Sequence, residues 1–135
     1  MKTFTIKTVR EQLRYDTARL VVEAGKPFEV IFENPDAMPH NLVFVMPGTL
    51  QDVATAVQTQ APDKLDSMGR AYVIEGDARI IAATKLVEAG KSETLHLTAP
   101  ATEGVYPYVC TFPGHWAIMK GELIVTKDVK AYLEK

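Results

Sequence analysis

The chain has 135 residues, 47% of them hydrophobic and 24% charged, which is enough to bury the core of one globular domain. Its 15 basic and 17 acidic residues give a formal net charge of -2. The absence of any long run of like charge argues against a nucleic-acid partner. No stretch approaches the roughly 18 consecutive apolar residues of a membrane-spanning helix.

The N-terminal part of the chain alternates apolar and polar residues with a period of two. Phe4 and Ile6 alternate with polar neighbours, and Leu20 and Val22 alternate with charged ones before a turn at residues 24–27. The strand after that turn places three apolar side chains on one face: Phe28, Val30 and Phe32. This period predicts half-buried β-strands.

Further strands are predicted along the rest of the chain, separated by residues typical of turns. They fall at residues 41–46, about 79–84, 92–98, 105–110 and 121–126. Together with the first strands they predict an all-β, antiparallel sandwich of about 7–8 strands.

The interval 49–70 departs from this period. Five apolar residues recur there at helical spacing after Thr49, a candidate N-cap: Leu50, Val53, Ala54, Val57 and Ala61. Pro62 then ends or restarts the helix. We expect a helical insertion that covers one side of the sandwich, with partner docking as the alternative role.

The C-terminal residues 127–135 follow the last predicted strand, so we place the domain at residues 1–126. Val129, Tyr132 and Leu133 stand among charges in this extension, which could form a short docked helix, a frayed tail or the start of a linker. The first residues lack the apolar segment of a signal peptide, which is therefore expected to be absent or already removed.

Four residues with metal-binding side chains occur in two segments. His40 stands in Met-Pro-His-Asn, while Cys110, His115 and Met119 fall within ten residues of each other. Any one of them alone is more typical of core packing, particularly a free cysteine. Together they supply two imidazoles, a thiolate and a thioether, the ligand set of a blue-copper centre that suits both Cu(I) and Cu(II).

Other uses of these residues are less consistent with the sequence. A copper carrier or store would use the same ligands, but with one of them exposed and labile. Zinc accepts His and Cys, whereas Met is a poor zinc ligand. A cysteine enzyme would need an acidic residue in the loop to orient a histidine base, and none is placed there. His96 alternates onto the polar face of its strand, so it is expected to face solvent and no second histidine cluster remains.

The ligand segment also carries a family resemblance. Cys110-Thr-Phe-Pro-Gly-His115, continuing through Met119-Lys-Gly121, is similar to the azurin ligand loop, including its length, and residues 79–86 resemble azurin sequence. Over most of residues 3–126 the chain resembles the cupredoxins, or blue copper proteins, and azurins most closely. The resemblance implies a Greek-key sandwich with a helical flap at about 49–70 and one type 1 copper ion.

The resemblance also implies roles for individual residues. His40, Cys110 and His115 would be strong equatorial ligands and Met119 a long axial one. Asn41 would tie the two ligand loops together, and backbone N–H groups near Asn41 and Phe112 would donate to the cysteine sulfur. Such contacts around the ligands orient them and tune the metal.

Pro39 departs from the azurin pattern, which has Gly before the first ligand histidine, and instead resembles plastocyanins and auracyanins. The proline ring restricts its own backbone and that of Met38. We therefore expect the Pro39 carbonyl, a candidate weak fifth ligand, to lie farther from copper in a four-coordinate site.

The implied function is transfer of single electrons between redox partners, not catalysis. By resemblance the partners are c-type cytochromes or a copper or haem oxidoreductase, and the location is periplasmic or otherwise extracytoplasmic. Electrons would pass through an apolar patch around His115, the kind of surface that marks an interaction site. Its candidate members are Met38, Pro39, Phe112, Pro113, Trp116 and Ala117. The single cysteine allows no intramolecular disulfide, so it does not report the compartment.

Overall fold

A computed structural model describes all residues from 1 to 135 and contains nine strands and two short helices. The strands are β1 (Lys2–Val9), β2 (Arg14–Tyr15), β3 (Arg19–Glu23), β4 (Pro27–Glu33), β5 (Val43–Val45), β6 (Ile80–Ala83), β7 (Ser92–Thr98), β8 (Gly104–Val109) and β9 (Lys120–Thr126). The helices are α1 (Leu50–Thr55) and α2 (Val129–Leu133).

The strands form two sheets. The first has the order β2-β1-β4-β7 and the second the order β3-β9-β8-β5-β6. The pairs β1–β4 and β3–β9 are parallel, and the other pairs are antiparallel. The predicted all-β sandwich is confirmed, but the expectation of purely antiparallel pairing is wrong for these two pairs. The two-residue strand β2 is an addition, too short to show a period in the sequence.

The core lies between the two sheets. The apolar faces predicted from the period-two pattern point into it, and Val30 and Phe32 have no exposed surface. Tyr15 packs edge-on against Phe32 and Tyr108, which links the short strand β2 to both sheets. Cys110 and Met119 belong to this same core cluster, so one end of the sandwich is continuous with the candidate metal site.

The insertion between β5 and β6 is helical only at its start. Helix α1 ends at Thr55, after which backbone N–H groups bond three residues back, as from Gln60 to the carbonyl of Val57 at 3.1 Å. Such bonds form tight turns that do not continue an α-helix. Thr49 occupies the N-cap position, but its hydroxyl donates to the Met46 carbonyl and makes no capping bond.

Residues beyond β9 form the short helix α2, which lies beside β3. Its N-cap, Asp128, accepts a hydrogen bond from the Ala131 N–H at 3.0 Å. Neither helix is long and apolar enough to cross a bilayer. His96 faces solvent as predicted, with 68% of its side chain exposed, and its Nδ1 lies 3.2 Å from a Glu29 carboxylate oxygen.

Candidate metal centre

Three of the predicted ligand residues converge at one end of the sandwich. The sulfur of Cys110 lies 3.8 Å from Nδ1 of His40 and 3.6 Å from Nδ1 of His115. The three ligand atoms all lie within 4.8 Å of one another, and all three residues are buried. The segment that carries His40 therefore meets the loop that carries Cys110 and His115, although His40 and Cys110 lie seventy positions apart in sequence.

The backbone of His40 is held in place independently of its side chain. It forms an isolated bridge to Val87, with bonds of 3.1 and 2.8 Å in the two directions. The segment that precedes it is held by Asn34, whose side-chain amide donates to the carbonyls of Met38 and Val87 at 2.8 Å each. His40 therefore enters the site from a rigid part of the backbone.

The other ligands lie on the loop between β8 and β9. Cys110 follows the last residue of β8 and Met119 precedes the first residue of β9, and the Cys110 N–H donates to the Met119 carbonyl at 3.0 Å. Within the loop, the N–H groups of His115 and Met119 donate to Phe112 and His115 carbonyls. Gly114 has a φ of 87°, a left-handed conformation that glycine adopts without strain. The loop is thus compact and closed at its base.

Asn41 joins the two ligand segments. Its side-chain carbonyl accepts from the Thr111 N–H, and its amide donates to the Thr111 hydroxyl, both at 2.8 Å. The same hydroxyl donates to the Tyr72 carbonyl at 2.9 Å. Residues next to His40 and Cys110 are therefore bonded directly to each other.

Burial shifts the pKa values of two of the ligand residues in the protein without metal. Burial raises the pKa of the Cys110 thiol to about 11, although backbone N–H groups of Asn41 and Phe112 directed at the sulfur offset part of that rise. Burial, with the nearby imidazole of His40, lowers the pKa of His115 to about 4. The free site therefore holds a neutral thiol and a neutral His115 at neutral pH.

The donor set fits one transition-metal ion. Bonds from such an ion to imidazole nitrogen and thiolate sulfur are about 2.0 and 2.3 Å long. Atoms separated by 3.6 and 3.8 Å are therefore within reach of one centre. The Nε2 of His40 is occupied by the Asp36 carboxylate at 2.7 Å, which leaves Nδ1 for the site. Met119, with no exposed surface, packs in the core cluster that contains Cys110.

Each of the predicted patch residues retains some exposed surface. Met38 and Ala117 are exposed, Pro39 and Pro113 are half-buried, and His115 itself retains 3% exposure. Phe112 stacks against His115 with ring centroids 4.7 Å apart. Trp116 is half-buried against a second core cluster, so it contributes to packing as well as to the surface. Ile118, 63% exposed in the same loop, was not among the predicted patch residues.

Two residues near the site were not predicted from sequence. Asp36 accepts the His40 contact from four positions earlier in the chain. Gln58, from the insertion, accepts from the Gly114 N–H at 2.8 Å and donates to the Thr111 carbonyl at 3.2 Å. The spacing of Asp36 from His40 is a weak signal, and nothing in the sequence around Gln58 indicates its contacts.

Several known proteins resemble this chain in sequence. The family model described as copper binding proteins, plastocyanin/azurin family, matches residues 2–126. Azurin-2 of Alcaligenes xylosoxydans xylosoxydans is 42% identical over 125 residues, covering 84% of this chain and 89% of that protein. Auracyanin-A of Chloroflexus aurantiacus is 32% identical over 126 residues, covering 91% of this chain and 74% of that protein.

Solved structures give the same result. Reduced auracyanin of Roseiflexus castenholzii superposes with a TM-score of 0.76 at 38% identity, covering 92% of this chain and 96% of that one. The blue copper protein auracyanin A of Chloroflexus aurantiacus gives 0.81 at 31% identity, covering 92% and 98%. The resemblance read from the ligand loop is confirmed. This chain belongs to the plastocyanin/azurin family of copper-binding proteins.

Proposed function

We propose that this protein is a type 1 blue copper protein that carries single electrons between redox partners. The observation that carries the proposal is the convergence of His40, Cys110 and His115 at one buried point. Copper bound there supplies a centre that alternates between Cu(II) and Cu(I). Imidazole and thiolate donors suit both oxidation states, and Met119 is the proposed weak axial ligand.

The protein's contribution is to keep the ligands in place. His40 is bonded to Val87 at its backbone, and Asn41 is bonded to the segment that carries Cys110. Ligands held in this way need little movement when an electron arrives or leaves. We expect a small reorganisation cost, which favours electron transfer over binding and release of the metal.

The proposed route of the electron is through His115. We propose that this histidine, which is 3% exposed, lies beneath an apolar surface formed by Met38, Pro113 and the loop residues near Trp116. Redox encounters use small and transient interfaces, for which such a patch is suited. We propose c-type cytochromes or a copper or haem oxidoreductase as partner classes, in a periplasmic or other extracytoplasmic location.

A copper carrier or store is the alternative. Transfer of the metal to another protein would require an exposed and labile ligand, but His40 and Cys110 have no exposed surface. The same burial supports a dry site, where low polarity disfavours the more highly charged Cu(II) state. An electron carrier that is not an enzyme remains the better interpretation.

The test is a visible absorption titration of the reduced, copper-free protein with Cu(II), repeated on Cys110→Ser. We expect an intense thiolate-to-copper band that saturates at one copper per chain and is missing in the variant. Tight binding of copper without that band would overturn the proposal and favour metal carriage.

A further inference from the structure

Asp36 is a buried carboxylate that lies directly behind the candidate copper ligand His40. Its side chain is 3% exposed, and its Oδ2 lies 2.7 Å from Nε2 of His40, the ring nitrogen that points away from Cys110. His40 is itself fully buried. The contact is therefore shielded from solvent, where electrostatic interactions are strongest.

The groups around Asp36 are those expected around an anion. Its Oδ1 accepts from the backbone N–H of Ala37 at 2.8 Å and from that of Glu11 at 3.2 Å. Two backbone N–H donors at one oxygen stabilise the charged form of a carboxylate.

The position of Asp36 is fixed by a polar cluster on the neighbouring strands. Its backbone N–H donates to the side-chain oxygen of Asn34 at 3.1 Å, and that oxygen also accepts from the Thr8 hydroxyl at 2.8 Å. The amide of Asn34 in turn holds the carbonyls of Met38 and Val87. This cluster holds the backbone of Asp36, and the bonds from Ala37 and Glu11 to Oδ1 hold its side chain towards His40.

We propose that Asp36 is a positioning residue for the copper site. It holds the Nε2–H tautomer of His40, which leaves the Nδ1 lone pair facing Cys110 and His115. Its negative charge stabilises Cu(II) relative to Cu(I) and so lowers the reduction potential. A carboxylate behind a metal-bound histidine fixes the ring and raises the basicity of the ligand. This proposal rests on the proposed electron-carrier function. The charge of Asp36 lowers the reduction potential, whereas the dry surroundings of the site raise it.

The first test compares the reduction potentials of the copper proteins carrying Asp36→Asn and Asp63→Asn. Asn keeps the shape of Asp36 and can still accept from His40, but it lacks the charge. Asp63 is exposed and makes no side-chain hydrogen bond or ion pair, so its substitution changes the net charge equally. For Asp36→Asn we expect the preference for Cu(I) over Cu(II) to rise about tenfold, equivalent to about 59 mV for one electron.

Asp63→Asn is expected to leave the potential nearly unchanged. Equal potentials for the two variants would overturn the proposed effect of charge. If Asp36→Asn does not fold, Asp36→Ser provides the same neutralisation with a smaller side chain that still accepts from backbone N–H groups.

The second test needs no substitution and no copper. Nitrogen-15 NMR of the histidine rings in the copper-free protein at alkaline pH should show His40 with its proton on Nε2. A proton on Nδ1 would overturn the positioning role. A wild-type protein that has the Nε2 proton but forms no blue copper band would instead refute the electron-carrier function, so the two failures are distinguishable.

Discussion

Asn41 and Thr111 are joined by two hydrogen bonds of 2.8 Å each, although they lie seventy positions apart in sequence. Each is the immediate neighbour of a proposed copper ligand, His40 on one side and Cys110 on the other. The bonded pair is buried and therefore sets the separation of the two ligand segments independently of the metal.

Replacing Asn41 by Ala should destabilise the copper-free protein. The Thr111 N–H would remain buried without a partner, and an unpaired group of this kind costs about 1–3 kcal/mol. Urea unfolding of the copper-free protein measures the change. Thr111→Val keeps the shape but leaves the Asn41 amide and the Tyr72 carbonyl without the hydroxyl, so it should also destabilise the protein. A free energy of unfolding for Asn41→Ala within about 0.5 kcal/mol of the wild type, as for surface substitutions, would contradict the structural role of this pair.

Gln58 links the insertion to the ligand loop through Gly114 and Thr111. In Gln58→Ala we expect faster hydrogen exchange at the Gly114 amide, because that N–H loses its acceptor and the loop opens more readily. Gln60→Ala is the matched control, since Gln60 is also half-buried but makes no side-chain hydrogen bond. Equal exchange at Gly114 in the two variants would show that the insertion does not restrain the loop.

The role of the proposed apolar patch around His115 in electron transfer can be tested by introducing one charged residue into it. Met38→Lys should slow electron self-exchange between two copies of the copper protein about tenfold or more, because two like charges would meet at the contact. Met46→Lys is the control: Met46 is 39% exposed against 42% for Met38 and lies beyond the far end of β5. Both variants should keep the visible spectrum. Equal self-exchange rates would place the electron-transfer surface elsewhere.

Uptake of copper should release a proton. Between the pKa of about 4 for His115 and the pKa of about 11 for Cys110, the free site holds a neutral imidazole and a protonated thiol. Binding requires the thiolate, so Cu(I) added at neutral to mildly alkaline pH should displace the thiol proton. Affinity should then increase about tenfold for each pH unit over this range.

A pH indicator in weakly buffered solution measures the proton released for each copper bound. Cys110→Ser should release none from this position, because a serine hydroxyl stays protonated on binding. Proton release by Cys110→Ser equal to that of the wild type would show that the thiol is not the group displaced.

The fold and two of the three converging residues could be predicted because their signals are local. Phe28, Val30 and Phe32 alternate visibly along one strand, and the strand is where that pattern places it. Cys110 and His115 share a short loop whose spacing is specific. The position of His40 opposite them could be expected only from the resemblance, since nothing in the sequence near His40 specifies its partner.

The contacts that sequence reasoning missed depend on how distant segments meet. Gln58 reaches the ligand loop from an insertion whose helix stops at Thr55, short of the interval that its apolar spacing suggested. Asp36 has no periodic pattern, because its role depends on the turn between β4 and the bridge at His40. Side-chain hydrogen bonds of this type follow from the tertiary structure and leave little trace in composition or spacing.

The proposed function requires one bound copper to carry one electron at a buried site. Its most direct test is a spectroscopic redox titration of the copper-loaded protein, in which the visible band is followed as electrons are added and removed. We expect the blue band to disappear with one electron per copper and to return fully on reoxidation, with the copper retained throughout. Loss of copper on reduction, or a band insensitive to reduction, would contradict an electron carrier.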